Sequence, residues 1–290
     1  MRSLKEIITF AEEKKLSLPN AILAIDAEAA GVSEADIRAA IKDRMSDMER
    51  SVTEAAANKE EGKLVSATGA MLRQHSLSDN RLCGNFVLRA STIALEVATY
   101  NATMGRIVAA PTAGSCGILP GLLFSWKEFH GGEDADEKLT DALIVAGAIG
   151  EVIAARATLA GAEGGCQAEC GAAAAMGAGA LTYIQGGSNE AVANGVAIAI
   201  KSILGLVCDP VGGLVEAPCI KRNGTLTALG ALSADMALAG IKSIIPVDEV
   251  IDSMSRVGKA IPPSLRETSL GGLAVTPTAK ELVKNLKTKK

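Results

Sequence analysis

The chain has 290 residues, of which 48% are hydrophobic but only 2% are aromatic, and its formal net charge is −4 at pH 7. This acidic balance excludes a protein that binds nucleic acid through a broad basic surface. The N-terminus lacks the apolar core of a signal peptide, and prolines and glycines interrupt the long uncharged stretch at residues 107–126. We therefore expect a cytoplasmic protein that is not embedded in a membrane, with its six cysteines reduced or metal-bound rather than paired in disulfides.

The apolar residues are mostly small, which predicts an all-α fold with closely packed helices. Alanine favours helix intrinsically, whereas alanine and glycine fit the pleated surface of a sheet poorly. Small side chains reach the packing density of a protein interior only if the helices approach one another closely. The expected architecture is a compact, Ala- and Gly-rich multi-helix domain.

Three helical patterns precede residue 60. Residues 3–15 place apolar side chains on one face, and Pro19 opens a second helix, because proline is tolerated in a first turn. Ser33 and Asp36 have the spacing of a capping box at the start of a third helix.

Further helical patterns alternate with turns rich in glycine and proline. A helix at residues 86–98 leads into a loop at residues 101–121, which enters another buried helix. The later patterns end with a helix after Pro277, and Asn189 is the expected cap of one of them. Their predicted ranges are residues 141–160, a segment from the 164–166 turn to about residue 183, and residues 189–206, 225–241 and 247–257.

Charge and glycine content divide the chain loosely. We expect an N-terminal helical segment at residues 1–80, which could dock a partner, and a second helical domain at residues 81–290. The first part carries more charge and less glycine than the second. A single continuous helical domain is the alternative.

Three cysteines, Cys166, Cys208 and Cys219, stand beside glycine, aspartate or proline in settings that suit metal ligation. Cys208 follows Cys166 by 42 residues, and Cys219 follows after 11 more. Thiolates are soft ligands that select zinc, Cu(I) or iron–sulfur clusters, and three of them would leave one coordination position open to chemistry. The alternative is three small apolar side chains in a core, because no CxxC pattern supports a metal site.

The other cysteines have simpler explanations. Cys83 is expected to be a small, buried, apolar side chain. Cys170 could share a helix face with Cys166 as a further ligand, but packing among alanines is the commoner explanation. Cys116 could line a pocket without binding metal.

The loop that begins at Asn101 combines an amide, the Arg106 guanidinium, the Thr112 and Ser115 hydroxyls and a turn at Gly114. If a helix begins near Ser115, its free amides and dipole would attract an anion such as a carboxylate. A buried proline–glycine connector between helices accounts for the same residues.

Arg266 and the two histidines are the remaining polar candidates. Arg266 either forms a surface salt bridge at a helix end or acts as a second carboxylate clamp. His75 and His130 lie outside the motif-like segments and are expected on the surface. No serine–histidine nucleophile or histidine-rich metal site can be assembled from them.

Four motifs follow one another along the second half of the chain. They are NATMGRIVAAPTAG at residues 101–114, GAEGGCQAE at 161–169, the CDPV and PC segments within 208–219, and RETSLGGLA at 266–274. In this order and spacing they resemble the iron–sulfur-dependent L-serine dehydratases, and in particular the alpha chain of the two-subunit form.

The resemblance implies an all-helical catalytic unit with a [4Fe–4S] cluster held by Cys166, Cys208 and Cys219, without pyridoxal phosphate. The implied reaction is deamination of L-serine to pyruvate and ammonia, with the open iron acting as a Lewis acid on the substrate hydroxyl. Our hypothesis is that donors of two motifs hold the substrate carboxylate, namely Asn101, Arg106, Thr112, Gly114, Ser115 and Arg266.

Two departures from the single-chain members of this family concern the partner. The chain lacks their Ser-rich, His-containing N-terminal motif, in which the family places a candidate proton-abstracting histidine. We therefore expect a separate beta subunit to supply the base and complete a heterodimer. The chain also lacks their C-terminal cysteine, which leaves the open iron to water or to a group of the partner.

Three other functions fit the same residues. One is a cysteine desulfidase of related design, and another is a non-catalytic iron–sulfur sensor that docks a partner. The third is a purely structural helical protein with buried thiols. Pyruvate release from serine and from cysteine, and the absorption spectrum of anaerobically purified protein, would separate them.

Overall fold

The structure, a computed structural model, describes residues 3–288. Thirteen α-helices and no β-strand occur in this range, so the predicted all-α fold is confirmed. The helices are α1 Leu4–Lys14, α2 Leu18–Ala30, α3 Glu34–Ala57, α4 Thr68–His75, α5 Asn85–Ala102, α6 Ile118–His130, α7 Ala135–Arg156, α8 Gly161–Gly164, α9 Ala172–Ile184, α10 Asn189–Lys201, α11 Cys219–Leu238, α12 Val247–Ala260 and α13 Pro277–Thr288. None of the helices in the described part of the chain combines the length and the apolar character needed to cross a membrane.

The Ala-rich helix α9 lies at the centre of the fold. Its residues 172–182 are all buried, and α6, α7, α10 and α11 pack around it. A Cβ at Gly177 would overlap the side chain of Leu122, and a Cβ at Gly179 would overlap that of Ile149. Small residues thus allow these helices to meet closely, as the composition predicts.

Glycines also set the contact between α5 and α6. A Cβ at Gly117 would collide with the carbonyl oxygen of Ala94, and a Cβ at Gly121 would lie 2.5 Å from that of Ala90. Because these neighbours are backbone atoms, they cannot move aside as a side chain would. The contact fixes the N-terminal end of α6, where the candidate site lies.

The N-terminal helices pack directly on the rest of the fold. Asp248, in α12, accepts hydrogen bonds from the backbone N–H groups of Leu4 and Lys5 at 2.9 and 3.1 Å. Helices α2 and α3 pack against α7, and their buried residues belong to the same hydrophobic cluster as those of α9. The predicted capping box of Ser33 and Asp36 is present. The division of the chain near residue 80 stays a prediction.

Two helices differ from the predicted pattern because tertiary contacts stabilise them. Helix α4 was not predicted; it is short, contains Gly69, and is held by a 2.6 Å ion pair between Arg73 and Glu96 of α5. Helix α11 begins at Cys219 rather than at residue 225. The polar run at its start resembles a loop, but Asn223 is buried there and hydrogen-bonded.

Three helix ends also lie elsewhere than predicted. Helix α7 occupies Ala135–Arg156 rather than residues 141–160, with Asp136 and Glu137 favourably placed in its first turn. Helix α10 ends at Lys201 rather than at residue 206. Its cap is Ser188, whose hydroxyl accepts a hydrogen bond from the N–H of Ala191 at 3.1 Å, and not Asn189.

Candidate functional site

The three cysteines predicted as ligands come from three different local settings. Cys166 directly precedes a π-helical turn at Gln167–Gly171, Cys208 lies in the loop between α10 and α11, and Cys219 is the first residue of α11. All three side chains are buried. Burial raises the pKa of Cys208, and charge on Glu169 and Cys166 raises it further. Burial likewise raises the pKa of Cys219 to about 12, and Cys166 again adds to the shift. The charge of Cys166 thus affects the pKa of both other thiols, so the three thiols share one electrostatic environment.

The loop that follows α12 holds Cys208 in place through its backbone. The Cys208 N–H donates to the carbonyl of Leu265 at 2.9 Å, and its carbonyl accepts from the N–H of Glu267 at 2.7 Å. Glu267 and Ser269 have φ values of 63° and 57°, in the left-handed region that non-glycine residues rarely adopt. Backbone strain of this kind concentrates at functional sites, where the surrounding structure enforces it.

Asp209 and Arg222 form a buried ion pair beside the thiols. Arg222 donates to Oδ1 of Asp209 at 2.9 Å and to the carbonyl of Val207 at 2.8 Å. The second carboxylate oxygen of Asp209 accepts from the N–H of Leu273 at 2.7 Å. The ion pair thus joins the segment that contains Cys208 to α11 and to the RETSLGGLA motif.

Arg222 also acts on the thiols electrostatically. The pKa of Cys166 is lowered, first by a hydrogen bond from the Cys170 thiol and then by the positive charge of Arg222. Arg222 was not predicted from the sequence. It stands three residues after Cys219, a spacing that places both on one face of a helix and that could have identified it.

Glu169 connects the thiols to the loop at residues 101–117. Its Oε1 accepts a hydrogen bond from the Thr112 hydroxyl at 2.9 Å, and its Oε2 lies 3.7 Å from Sγ of Cys208. Burial raises the pKa of Glu169, while the hydrogen bond from Thr112 opposes this shift. A Cβ at Gly114 would lie 3.3 Å from Oε1, and a Cβ at Gly161 would overlap Oε2. Glu169 was not predicted as a site residue, although it follows Cys166 by one helical turn.

The predicted carboxylate-binding loop lies against this carboxylate. Asn101 donates from Nδ2 to the carbonyl of Ala113 at 3.2 Å. The hydroxyls of Thr112 and Ser115 are 3.2 Å apart, at the two ends of a short 3-10 turn. The structure thus brings Thr112, Gly114 and Ser115 together with Glu169.

The expected helix start near Ser115 is displaced. The 3-10 turn ends at Ser115, and α6 begins only at Ile118. The N–H of Gly117 at this end donates to Oδ1 of Asn223 at 3.0 Å. One of the amides that could have met an anion is therefore already satisfied within the protein.

The two arginines of the predicted carboxylate site have different surroundings. The Arg106 side chain is 73% exposed and points to Asp47 of α3, with 3.5 Å between Nη2 and Oδ1. Arg266 lies beside Cys208 in a single parallel bridge and donates from Nη1 to the carbonyl of Glu163 at 3.3 Å. Its Nε is buried and has no hydrogen-bond partner among the described residues.

The remaining cysteines differ in exposure. Cys83 is exposed, so the prediction of a buried side chain was wrong; the turn before α5 leaves it on the surface. Cys116 is buried, and burial raises its pKa to about 12. Cys170 lies 3.6 Å from the carbonyl oxygen of Gly114, and its hydrogen bond to Cys166 and its burial raise its pKa strongly.

Both histidines are exposed, as predicted. His75 ends α4, and His130 ends α6. The 13 residues of α6 separate His130 from the Gly117 end by about 20 Å. Neither histidine hydrogen-bonds to a residue of the thiol site in the described part of the chain.

The set of three thiols differs in its suitability for a single metal ion and for a cluster. Within residues 3–288 no three His, Cys, Asp or Glu side chains converge closely enough to hold a single metal ion. A four-iron cluster binds its thiolates at different irons, so its ligands stay farther apart than those of one ion. Three buried thiols, with the Arg222 guanidinium acting to lower the pKa of Cys166 and opposing the rise in the pKa of Cys219, are chemically suited to such a cluster.

The fold and this site define a helical protein with a buried set of thiols, and comparison with known proteins gives its family. The profile of the family described as "Serine dehydratase alpha chain" matches residues 13–274. The chain is 43% identical to the probable L-serine dehydratase alpha chain of Bacillus subtilis, over 98% of this chain and 95% of that protein. It is 37% identical to the L-serine dehydratase alpha chain of Peptoniphilus asaccharolyticus, over 97% of both. The L-serine dehydratase of Streptomyces coelicolor is 44% identical over 63% of this chain and 40% of that protein.

The chain therefore belongs to the serine dehydratase alpha chain family. The resemblance stated from the four motifs is confirmed.

Proposed function

We propose that this chain is the alpha subunit of a cytoplasmic, iron–sulfur-dependent L-serine dehydratase, which converts L-serine to pyruvate and ammonia. Family membership and the names of its relatives support the reaction. The observation that carries the cofactor proposal is the burial of Cys166, Cys208 and Cys219 in one electrostatic environment beside Arg222.

Cys166, Cys208 and Cys219 are the proposed ligands of a [4Fe–4S] cluster, and no pyridoxal phosphate is required. When bound, a cluster with one iron free of a protein ligand supplies a Lewis acid for the substrate hydroxyl. Arg222 offsets the negative charge of the thiolates, and its ion pair with Asp209 keeps the Cys208 segment in place.

The substrate carboxylate is proposed to bind among the hydroxyls and amides of Thr112, Gly114 and Ser115. Arg266 is the better of the two arginine candidates, because its buried Nε has an unused hydrogen-bond donor beside Cys208. Arg106 points to Asp47 on the surface, and Asn101 supports the loop through Ala113. Their contact with substrate stays a prediction.

The proton on the substrate Cα is proposed to leave to a base of a beta subunit. The term "alpha chain" in the names of the relatives implies a second chain. His75 and His130 lie at helix ends and form no hydrogen bond within the site. A residue of the partner would therefore complete the active site in a heterodimer.

The test is anaerobic co-expression with the beta chain, followed by measurement of bound iron and sulfide and of pyruvate release. We expect about four irons per heterodimer and pyruvate from L-serine. Faster release from L-cysteine would instead identify a desulfidase. Iron-loaded protein that releases pyruvate from neither amino acid would contradict the proposed activity, and protein without iron would contradict the proposed cofactor.

A further inference from the structure

Glu169 is a largely buried carboxylate whose contacts include no cation. Its hydrogen-bond donors are the Thr112 hydroxyl at 2.9 Å and the Cys208 thiol at 3.7 Å. Within residues 3–288 no lysine, arginine or histidine forms an ion pair with it. Taking a carboxylate out of water without a cation is costly, so such groups are normally paired with a positive charge.

Metal ligation by Cys208 would increase this imbalance. A thiolate cannot donate a hydrogen bond, so Glu169 would lose one of its two donors and gain a negative neighbour. The nearby charged side chain that acts on Glu169 is Glu267, which is also a carboxylate. With the proposed cluster bound, Glu169 would therefore lack a positively charged partner that donates hydrogen bonds to it.

Two glycines lie directly against the Glu169 carboxylate. Gly114 and Gly161 face the two oxygens of Glu169, and a Cβ at either position would crowd or overlap them. Glu169 thus lies between the loop proposed to bind the substrate carboxylate, which it contacts through Thr112, and the segment of Cys208. A cationic group bound to Glu169 would lie beside both.

We propose that Glu169 binds the α-ammonium group of the substrate and so selects amino acids over hydroxy acids that lack this group. This inference rests on the proposed function. An ammonium group supplies three hydrogen-bond donors and one positive charge, and so matches a carboxylate that has no cationic partner. The substrate is then held at both charged ends, with its carboxylate on the Thr112–Ser115 side and its ammonium on Glu169.

The experiment uses the reconstituted holoenzyme with its beta subunit and compares Glu169→Gln with wild type. Gln keeps the shape and the hydrogen bond from Thr112 but removes the charge. Two ligands are used, L-serine and 3-hydroxypropionate, which has the same carboxylate and hydroxyl but no ammonium. The matched control is Glu163→Gln, an exposed carboxylate of the same motif whose side chain bonds to Thr158.

We expect Glu169→Gln to weaken L-serine binding by about 100-fold, since a buried charge pair loses one partner. Binding of 3-hydroxypropionate should stay within about threefold of wild type, and iron content and cluster absorption should not change. Glu163→Gln should change neither ligand. Equal weakening of both ligands, or a fall in kcat at constant KM, would overturn the inference.

Two further measurements keep the result interpretable. If Glu169→Gln fails to load iron, Glu169→Asp retains the charge on a shorter arm and should weaken L-serine selectively; weakening of both ligands by this variant contradicts the inference. Calorimetric binding of the two ligands to wild type and variant tests the inference even if no pyruvate is released. Failure of the proposed reaction is thereby distinguished from failure of the role of Glu169.

Discussion

Arg222 and Asp209 are joined by a hydrogen-bonded ion pair of 2.9 Å, in which the Asp209 side chain is 3% and the Arg222 side chain 16% exposed. Arg222 also donates a hydrogen bond to the carbonyl of Val207, and Asp209 accepts one from the N–H of Leu273. The ion pair therefore connects the CDPV and RETSLGGLA motifs. A buried pair of this kind matters most when one partner is removed, because the other is left as an uncompensated charge.

Replacing Asp209 with Ala should lower the free energy of unfolding by about 3 kcal/mol, because Arg222 then stays buried without its carboxylate. Urea denaturation of the purified chain measures this. The control is Lys242→Ala, which breaks a surface pair with Glu190 in which the lysine is 71% exposed; its effect should be below about 0.5 kcal/mol. Similar effects of the two variants would show that the buried pair contributes little.

Replacing Cys208 with Ala should remove both the visible absorption of the cluster and the release of pyruvate, because one of three proposed ligands is lost. Both are measured on protein purified without oxygen. Cys83→Ala, at the exposed cysteine, should leave both unchanged. A Cys208→Ala variant that keeps its colour and activity would remove Cys208 from the ligand set.

Replacing Gly117 with Ala should destabilise the fold by about 2–3 kcal/mol, because the new methyl group would collide with the Ala94 carbonyl. Gly147→Ala is the matched control in α7, where a Cβ meets no atom within 4 Å. That variant should stabilise the protein by up to about 1 kcal/mol through helix propensity. Urea midpoints that move in the same direction for both would contradict the close α5–α6 contact.

Asp26 should give the protein a pH-dependent stability between about pH 4 and 6. Partial burial and then the charge of Glu151 raise its pKa from 3.8 to about 6. The folded state thus binds a proton that the unfolded state has already lost in this window, so stability falls as pH rises through it. Asp26→Asn should stabilise the protein at pH 7 by up to about 1 kcal/mol, after allowance for solvent screening, and should flatten the profile. Urea midpoints measured from pH 4 to 7 test this, and an unchanged slope would contradict it.

Replacing Arg106 with Lys tests the carboxylate clamp predicted from the sequence. If Arg106 binds the substrate carboxylate in a bidentate manner in the holoenzyme, KM for L-serine should rise by about tenfold or more. Arg44→Lys is the control, since Arg44 also pairs with Asp47 at 3.1 Å. An unchanged KM in the Arg106 variant would remove it from the site and leave Arg266 as the arginine to test.

Much of the fold could be predicted because small residues and helical periodicity are local properties of the sequence. The capping box of Ser33 and Asp36 is a typical success, since both partners lie within four residues. Helix α4 and the start of α11 could not be predicted in this way. Arg73 and Asn223 acquire their roles only from partners in other parts of the chain.

The candidate site shows the same limit. Cys166, Cys208 and Cys219 were selected by their settings and by the resemblance, but spacing alone left a buried core as an alternative. Glu169 and Arg222 were missed because a charged residue in a helix is normally exposed, and only tertiary packing buries these two. Each follows a selected cysteine by three residues, which is the signal that the sequence did contain.

The three thiols come from separate parts of the chain, which constrains when the proposed cluster could be bound. Cys166 and Cys219 are 53 residues apart in sequence, and α9 and α10 must form and pack before the two can face each other. A chain emerging from the ribosome therefore offers no assembled set of the three thiols. Insertion of the proposed cluster would then follow folding, beside the 266–274 segment, whose Glu267 is hydrogen-bonded to Cys208.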